Sequence, residues 1–195
     1  KILDGSFVPK ISSSIVANMF LGTSSGIYAA VVTLPDTKPT KITWTQLANS
    51  GVYGFQRSVT GTQNAAIKVG NYSSRDNGQS TELFNGTSWS VASGLISSHQ
   101  SPPLVGHQNV ALAMNSGTCS EEWNGTIWSV GGTRNVSNNA MSAFGGQGGA
   151  AVVGGQYNYT ATEHYDGTVW STGTATSVAR CGGGYTGTVD DGLHF

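Results

Sequence analysis

Charge is what this chain of 195 residues has least of. Asp, Glu, Lys and Arg together make 10 % of it, against about 25 % in an average soluble chain. Nine Lys and Arg face ten Asp and Glu, for a net charge of −1. So little charge, so evenly divided, argues against a basic nucleic-acid groove, a polybasic membrane patch or an acidic tail. Cys119 and Cys181 are the whole cysteine complement. They stand in different phases of the sequence, so two free thiols are expected rather than a disulfide or a zinc pair. No apolar run approaches the ~18 residues needed to cross a bilayer, and the most apolar stretch, 27–34, is strand-sized. The chain opens Lys1-Ile2-Leu3-Asp4 without a positive-then-apolar leader. Its start reads as a processed terminus or as the interior of a longer polypeptide.

Glycine, by contrast, is abundant, with 28 residues. Gly costs about 1 kcal/mol per interior helical position relative to Ala, and the many Ser and Asn prefer turns, so long helices are disfavoured. Disorder is disfavoured too, because five Trp, seven Tyr and six Phe supply the apolar bulk that disordered chains lack. The composition is that of an all-β protein.

Internal repetition sharpens that reading. Three segments align without gaps: Thr81-Glu-Leu-Phe-Asn-Gly-Thr-Ser-Trp89-Ser, Ser120-Glu-Glu-Trp-Asn-Gly-Thr-Ile-Trp128-Ser and Thr162-Glu-His-Tyr-Asp-Gly-Thr-Val-Trp170-Ser. Trp89, Trp128 and Trp170 lie 39 and then 42 residues apart, and a degraded copy, Lys41-Ile-Thr-Trp44-Thr, stands 45 before Trp89. The unit reads as a hairpin. Asn85-Gly86, Asn124-Gly125 and Asp166-Gly167 suit the two central positions of a type I′ turn, which both need φ > 0. An aromatic before the turn and a Trp after it suit the pleated surface between packed sheets.

A second element precedes each hairpin. Gly61-Thr-Gln-Asn-Ala-Ala-Ile-Lys-Val-Gly70, Gly106-His-Gln-Asn-Val-Ala-Leu-Ala-Met-Asn115 and Gly146-Gln-Gly-Gly-Ala-Ala-Val-Val-Gly-Gly155 share a polar turn and then a short apolar strand. Residues 22–32 read as the start of the series, and 187–195 as its resumption. The small residues of that apolar strand suggest an inner strand where backbones approach closely. A period of ~40 residues with several strands and a fixed Trp points to a β-propeller blade.

The motif [ST]-E-x-[FWY]-[ND]-G-T-x-W-S, with the Gly-Gly at Gly154-Gly155, resembles kelch-type propeller repeats. More particularly it is similar to the kelch-like repeats of structural virion proteins of bacteriophages, cyanobacterial ones included. The resemblance covers about residues 41–195. Gly70-Asn71 and Asn115-Ser116 replace the Gly-Gly in the other copies. Residues 1–40 read as an atypical N-terminal β segment and a candidate first inner strand. Residues 41–195 read as the kelch-like repeats, with hairpins near 81–90, 120–129 and 162–171. About four blades fit this length, either as a ring closed by strands from both ends or as a section of a larger one.

Several motifs mimic chemistry. Gly22-Thr23-Ser24-Ser25-Gly26 matches G-x-S-x-G, but a nucleophile elbow requires a helix after it, and none is expected. Gly146-Gln147-Gly148-Gly149-Ala150-Ala151 imitates a dinucleotide fingerprint, yet an apolar strand comes next. Glu82, Glu121 and Glu163 recur at one position, so they either ring a common surface as acid–base groups or serve each blade identically, accepting bonds from backbone or from an Arg such as Arg180. His99, His107, His164 and His194 show no ligand spacing, and His164 is expected to face solvent. The sequons at Asn71, Asn85, Asn124, Asn135 and Asn158 are close to what this composition produces by chance.

No catalytic residue, metal or cofactor is therefore expected. The resemblance implies a non-enzymatic structural or adhesive component of a phage tail, neck or head fibre, located in the virion. Its partners are expected to be other virion proteins or copies of itself, and host surface glycans, with no nucleic acid and no membrane insertion. Loops 71–80, 97–107 and 133–145 are the expected contact surfaces, with Tyr72, Tyr157 and Tyr159 available to stack on sugars. The alternatives are a secreted or cell-surface location, a cellular kelch-type interaction module, and a carbohydrate-active enzyme on the same scaffold.

Overall fold

The computed structural model describes residues 15–23, 26–34, 48–52, 57–70, 77–99, 102–115, 117–156 and 159–194. The chain divides into two compact units, residues 1–46 and 47–195. In the first, β1 (Ile15–Thr23) and β2 (Gly26–Leu34) form an antiparallel hairpin with Thr23 paired to Gly26. Ser24 and Ser25 of the elbow-like motif lie outside the described residues, as do Lys41–Thr45, Tyr72 and Tyr157. That motif leads into the strand β2 and not into a helix.

The second unit is a succession of antiparallel meanders. The first holds β3 (Ser58–Thr62), β4 (Ala65–Val69), β5 (Thr81–Phe84) and β6 (Trp89–Val91). The second holds β7 (Leu104–His107), β8 (Val110–Met114), β9 (Ser120–Trp123) and β10 (Trp128–Val130). The third holds β11 (Ser142–Gly146), β12 (Gly149–Val153), β13 (Thr162–Tyr165) and β14 (Trp170–Thr172). A two-stranded sheet of β15 (Tyr185–Gly187) and β16 (Gly192–His194) ends the series. Strands within each sheet lie in chain order, and the described residues contain no helix. The protein is all-β.

Consecutive sheets meet through their first strands: β3 lies against β7, β7 against β11, and β11 against β15. The apolar run expected as an inner strand is the second strand of each sheet, and the strands in contact from sheet to sheet are the first. It is apolar because it has a strand on both edges and a neighbouring sheet on its faces. Ile67 and Val69 of β4 pack with Leu104, Ala111, Ala113, Trp123 and Trp128 of the second sheet. Leu112 and Met114 of β8 pack in turn with Ala143, Ala150, Tyr165 and Trp170 of the third.

Each first hairpin carries one obligatory glycine. Gly61, Gly106, Gly145 and Gly187 hold φ of +123°, +99°, +101° and +115°. A Cβ there would collide with the carbonyl oxygen of Ala65, Val110, Gly149 or Asp191. Their pairing with Ala66, Ala111, Ala150 and Gly192 fixes the structural alignment. It shifts the third copy by one residue from the sequence alignment: Gly145, not Gly146, matches Gly61 and Gly106. The fingerprint-like Gly146–Ala151 is the β11–β12 hairpin.

The tryptophan hairpins differ from expectation by one residue as well. Phe84 pairs with Trp89, Trp123 with Trp128 and Tyr165 with Trp170, and the Asn85 N–H donates to the Ser88 carbonyl at 3.2 Å. The two central residues are thus Gly86 and Thr87, not Asn85 and Gly86. Only the glycine has φ > 0, at +91°, with +95° at Gly125 and +94° at Gly167, which is the residue pattern of a II′ turn. The side chain of Asn85 accepts from the Thr87 and Ser88 N–H groups at 3.0 and 2.9 Å. Asn124 and Asp166 do the same in their copies. Asx residues fit there as side-chain acceptors rather than as left-handed backbone.

Gly106→Ala is expected to lose at least about 2 kcal/mol of stability in urea unfolding, from left-handed strain and collision together. Gly148→Ala, where an added Cβ meets nothing within 4 Å, is expected to change stability by less than about 0.5 kcal/mol.

Candidate functional site

The residues most suggestive of chemistry are the three repeated glutamates. Each is the second residue of a third strand, and strand alternation turns it to the same face as the aromatic two residues on, which for Glu121 and Glu163 is the face toward the preceding sheet. All three are buried, Glu82, Glu121 and Glu163 being 0, 2 and 1 % exposed. They do not ring a common surface. Glu121 and Glu163 sit at junctions between successive sheets and Glu82 against residues 51–52, and each accepts from two consecutive backbone N–H groups of the segment packed against it.

The geometry repeats closely. Glu82 Oε1 accepts from the N–H groups of Gly51 and Val52 at 2.7 and 3.2 Å. The Ile96 N–H donates to Glu121 Oε2 at 2.7 Å and that of Ser97 to Oε1 at 2.9 Å. Asn135 donates to Glu163 Oε1 at 2.5 Å and Val136 to Oε2 at 3.3 Å. A cationic or imidazole group completes each clamp, from a different place every time. Lys68 of β4 ion-pairs with Glu82 and stands 5.0 Å from the Trp89 ring centroid. His99 Nε2 lies 3.2 Å from Glu121 Oε1. Arg134 Nη1 lies 4.0 Å from Glu163 Oε2.

Arg134, 2 % exposed, does more than balance charge. Its guanidinium donates to the carbonyls of Asn115 at 2.7 Å, Val136 at 3.3 Å and Asn138 at 3.2 Å, and also to that of Gly117. Arg180, the partner suggested by sequence, is exposed, and its carbonyl instead accepts from the Gly155 N–H at 2.9 Å.

Protonation equilibria track the contacts. Burial alone would raise the Glu121 carboxyl. The His99 hydrogen bond and the amides of Ile96 and Ser97 outweigh that and hold it below its ordinary value of 4.5. Glu82 is likewise lowered, burial being overcome by Lys68 and the amides of Val52 and Gly51. Burial pulls Lys68 down, with Glu82 opposing, and pulls Arg134 down, with Glu163 opposing. Burial and its hydrogen bond to Glu122 push Tyr165 up to about 12. Asp166 is lowered by the Val169 and Thr168 amides of its turn.

Two further kinds of contact join the sheets. The Trp128 indole N–H donates to Thr81 Oγ1 at 3.0 Å and the Trp170 indole N–H to Ser120 Oγ at 3.3 Å. The amides of Gln108 and Gln147 donate to the carbonyls of Phe84 and Trp123 at 3.1 and 3.3 Å. Sequence reasoning missed these glutamines because the one-residue misalignment hid that they share a position.

Of the loops expected to present contact surfaces, residues 71–76 of the first lie outside the described residues, and the other two mix buried residues with exposed ones such as Ser98, Thr133, Asn135 and Asn139. His99, Leu104 and Val105 in 97–107 are buried, as are Arg134, Asn138 and Met141 in 133–145. The clamps draw them inward. Tyr159 is 38 % exposed. His107 and His164 are exposed, and Cys119 and Cys181 are free and exposed. Among the described residues, no three of His, Cys, Asp or Glu come together. Exposed large apolar side chains include Val91, Val130, Ile127 and Val169 of the tryptophan hairpins, and also Val59, Ile96, Val110, Val178, Tyr185 and Leu193.

No protein-family model matches the chain, and no curated protein matches it.

Glu121→Ala leaves two amides and His99 unpartnered and is expected to cost about 3–5 kcal/mol. Its neighbour Glu122, half-buried on the opposite face, is expected to cost about 1 kcal/mol in the same unfolding experiment. A carboxyl with a depressed native pKa stabilises above its unfolded value, and that contribution is lost as pH falls through the native one. The melting temperature is therefore expected to fall below about pH 4, and less steeply in Glu121→Gln.

Proposed function

We propose that this chain is a kelch-like β-propeller section serving as a non-enzymatic structural or adhesive component of a phage particle. The use of the three glutamates carries this reading. In each copy the one recurring carboxylate is satisfied by backbone amides and a basic partner, a role in holding sheets together. A radial arrangement is favoured by the first strands. Thr60 of β3, Val105 of β7, Phe144 of β11 and Thr186 of β15 all line one cavity of about 180 Å³.

The contact surface in this reading is the set of outer hairpins. Val91 and Val130 are each 72 % exposed, and Ile127 and Val169 stand at the turns. Single apolar side chains on a weakly charged, Ser/Thr-rich rim make contacts that salt barely screens, as a particle joint requires. Host glycans and neighbouring virion proteins are the partners this surface suits.

Purified particles are expected to contain the chain in a fixed copy number, retained through a high-salt wash and measured by quantitative mass spectrometry. Particles free of the chain, with a soluble monomer left in the lysate, would count decisively against the virion role.

A further inference from the structure

The sequence holds three Asn-Gly pairs, beginning at Asn77, Asn85 and Asn124. Asparagine before glycine is the pair most prone to lose its side-chain nitrogen, because a glycine amide reaches the neighbouring carboxamide unhindered by a Cβ. Whether this happens at a given pair depends on what surrounds the carboxamide. Asn85 and Asn124 share one geometry, and Asn77 has another.

At Asn85 the carboxamide oxygen accepts from the N–H groups of Thr87 and Ser88 at 3.0 and 2.9 Å. At Asn124 the Thr126 and Ile127 N–H groups donate at 3.0 Å each. Two amides on one carbonyl oxygen draw electron density from Cγ. They also stand ready for the negative charge that the oxygen takes on when Cγ is attacked. The nucleophile is adjacent. Among the described residues Gly86 and Gly125 donate their N–H to no acceptor, so no hydrogen bond must break before that nitrogen reacts. Both asparagines are exposed, which gives water and hydroxide access. The third copy shows the product residue in place. Asp166 accepts from the Thr168 and Val169 amides at 2.8 Å each, and those amides favour its ionised form. A carboxylate at this position keeps both side-chain bonds of the turn and strengthens them.

We infer that the hairpins β5–β6 and β9–β10 are self-acting deamidation sites, at which Asn85 and Asn124 convert to the acid that stands at Asp166. Hydroxide takes the Gly86 amide proton, and the nitrogen's electron pair forms a bond to Asn85 Cγ. The carbonyl π pair moves onto Oδ1, where the Thr87 and Ser88 amides hold it. Its return expels the side-chain nitrogen, which takes a proton from water and leaves as ammonia, restoring the hydroxide. Water then adds to Cγ of the cyclic imide, the Cγ–N bond breaks, and a proton returns to the Gly86 nitrogen. Addition to the other imide carbonyl leaves the chain linked through the side chain, with the same mass. One water is consumed and one ammonia released, with no other reactant. Each new carboxylate adds one negative charge, so conversion at both sites takes the net charge from −1 to −3. That charge falls on the hairpins that expose Val91, Ile127 and Val130. The inference rests on the turn geometry and is independent of the particle reading.

The test incubates the folded full chain in mildly alkaline buffer and follows the mass gain of each Asn-bearing peptide by mass spectrometry. Asn77 is the internal reference: its Gly78 is buried, and among the described residues it has no such pair of donors. Asn85 and Asn124 are expected to convert at similar rates, about tenfold faster than Asn77, the factor that exposed hydrogen bonds to the reacting oxygen supply. Thr87→Pro removes one donor and is expected to slow Asn85 about fivefold, with Asn124 in the same molecule unchanged. Thr126→Pro is expected to do the reverse. Protection of the Asn85 or Asn124 amide from exchange reports that the altered hairpin is still paired, and the comparison with Asn77 needs no substitution. Equal rates at all three asparagines, or Asn85 and Asn124 intact once Asn77 has converted, would overturn the proposal. So would an unchanged or faster rate in a proline variant whose hairpin stays paired, since the turn would then shield the carboxamide instead of activating it. A particle that lacks the chain leaves this result untouched.

Discussion

A buried carboxylate between two sheets is the constraint on which the rest of this structure turns. An ion of that size, moved from water into a protein interior, loses several kcal/mol of hydration even after relaxation. The loss is offset only if its oxygens are met by donors in fixed positions. Glu82, Glu121 and Glu163 are met by two successive amides each, and by Lys68, His99 or Arg134. Successive amides can converge on one carboxylate only if the loop bends, and so the loops between sheets are tied to the sheet that comes after them. The same ties bury His99 and Arg134 within 97–107 and 133–145.

Around the clamps the aromatic pairs supply bulk. Phe84 with Trp89, Trp123 with Trp128, and Tyr165 with Trp170 have ring centroids 5.0, 5.3 and 4.9 Å apart, within the range where aromatic rings attract beyond their area burial. The Trp also carries an N–H that must find an acceptor when buried, and Thr81 and Ser120, at the head of the previous third strand, provide it. The hydroxyl residue preceding the repeated Glu thus belongs to the next sheet's tryptophan.

Much of this was legible in the residues. The period, the hairpins and the fixed Trp arise from local turn chemistry and alternation, which a single strand pair already enforces. What failed was register. In a run such as Gly145-Gly146-Gln147-Gly148-Gly149 nothing local distinguishes the glycine that needs φ > 0 from its neighbours, and only the pairing of Gly145 with Ala150 does so. Similarly, Asn85-Gly86 suits a turn in two registers, and the pairing of Phe84 with Trp89 selects the one in which Asn acts through its side chain. The continuous apolarity of β4, β8 and β12 reports burial, which local residues alone do not assign to a particular neighbour. The partners of the glutamates were illegible for a different reason. Lys68, His99 and Arg134 occupy three different phases of the repeat, so no periodic signal marks them.

That irregularity clarifies what the clamp requires. The carboxylate and the paired amides are the same at all three glutamates, while the third group arrives from a strand, from the end of a loop or from its beginning. The third partner is therefore whatever basic or imidazole group lies within reach, and backbone geometry is the constant partner. In a chain with only ten acidic residues, three are committed to interiors where apolar side chains of similar volume would pack without a desolvation penalty. Apolar side chains tolerate sliding, because their attraction has no direction. A carboxylate facing two amides does not, since displacing the sheet by one residue leaves a buried charge and two buried donors unmatched. On a Gly-rich chain, where backbone entropy and small side chains weaken every other positional preference, that penalty selects one register between neighbouring sheets.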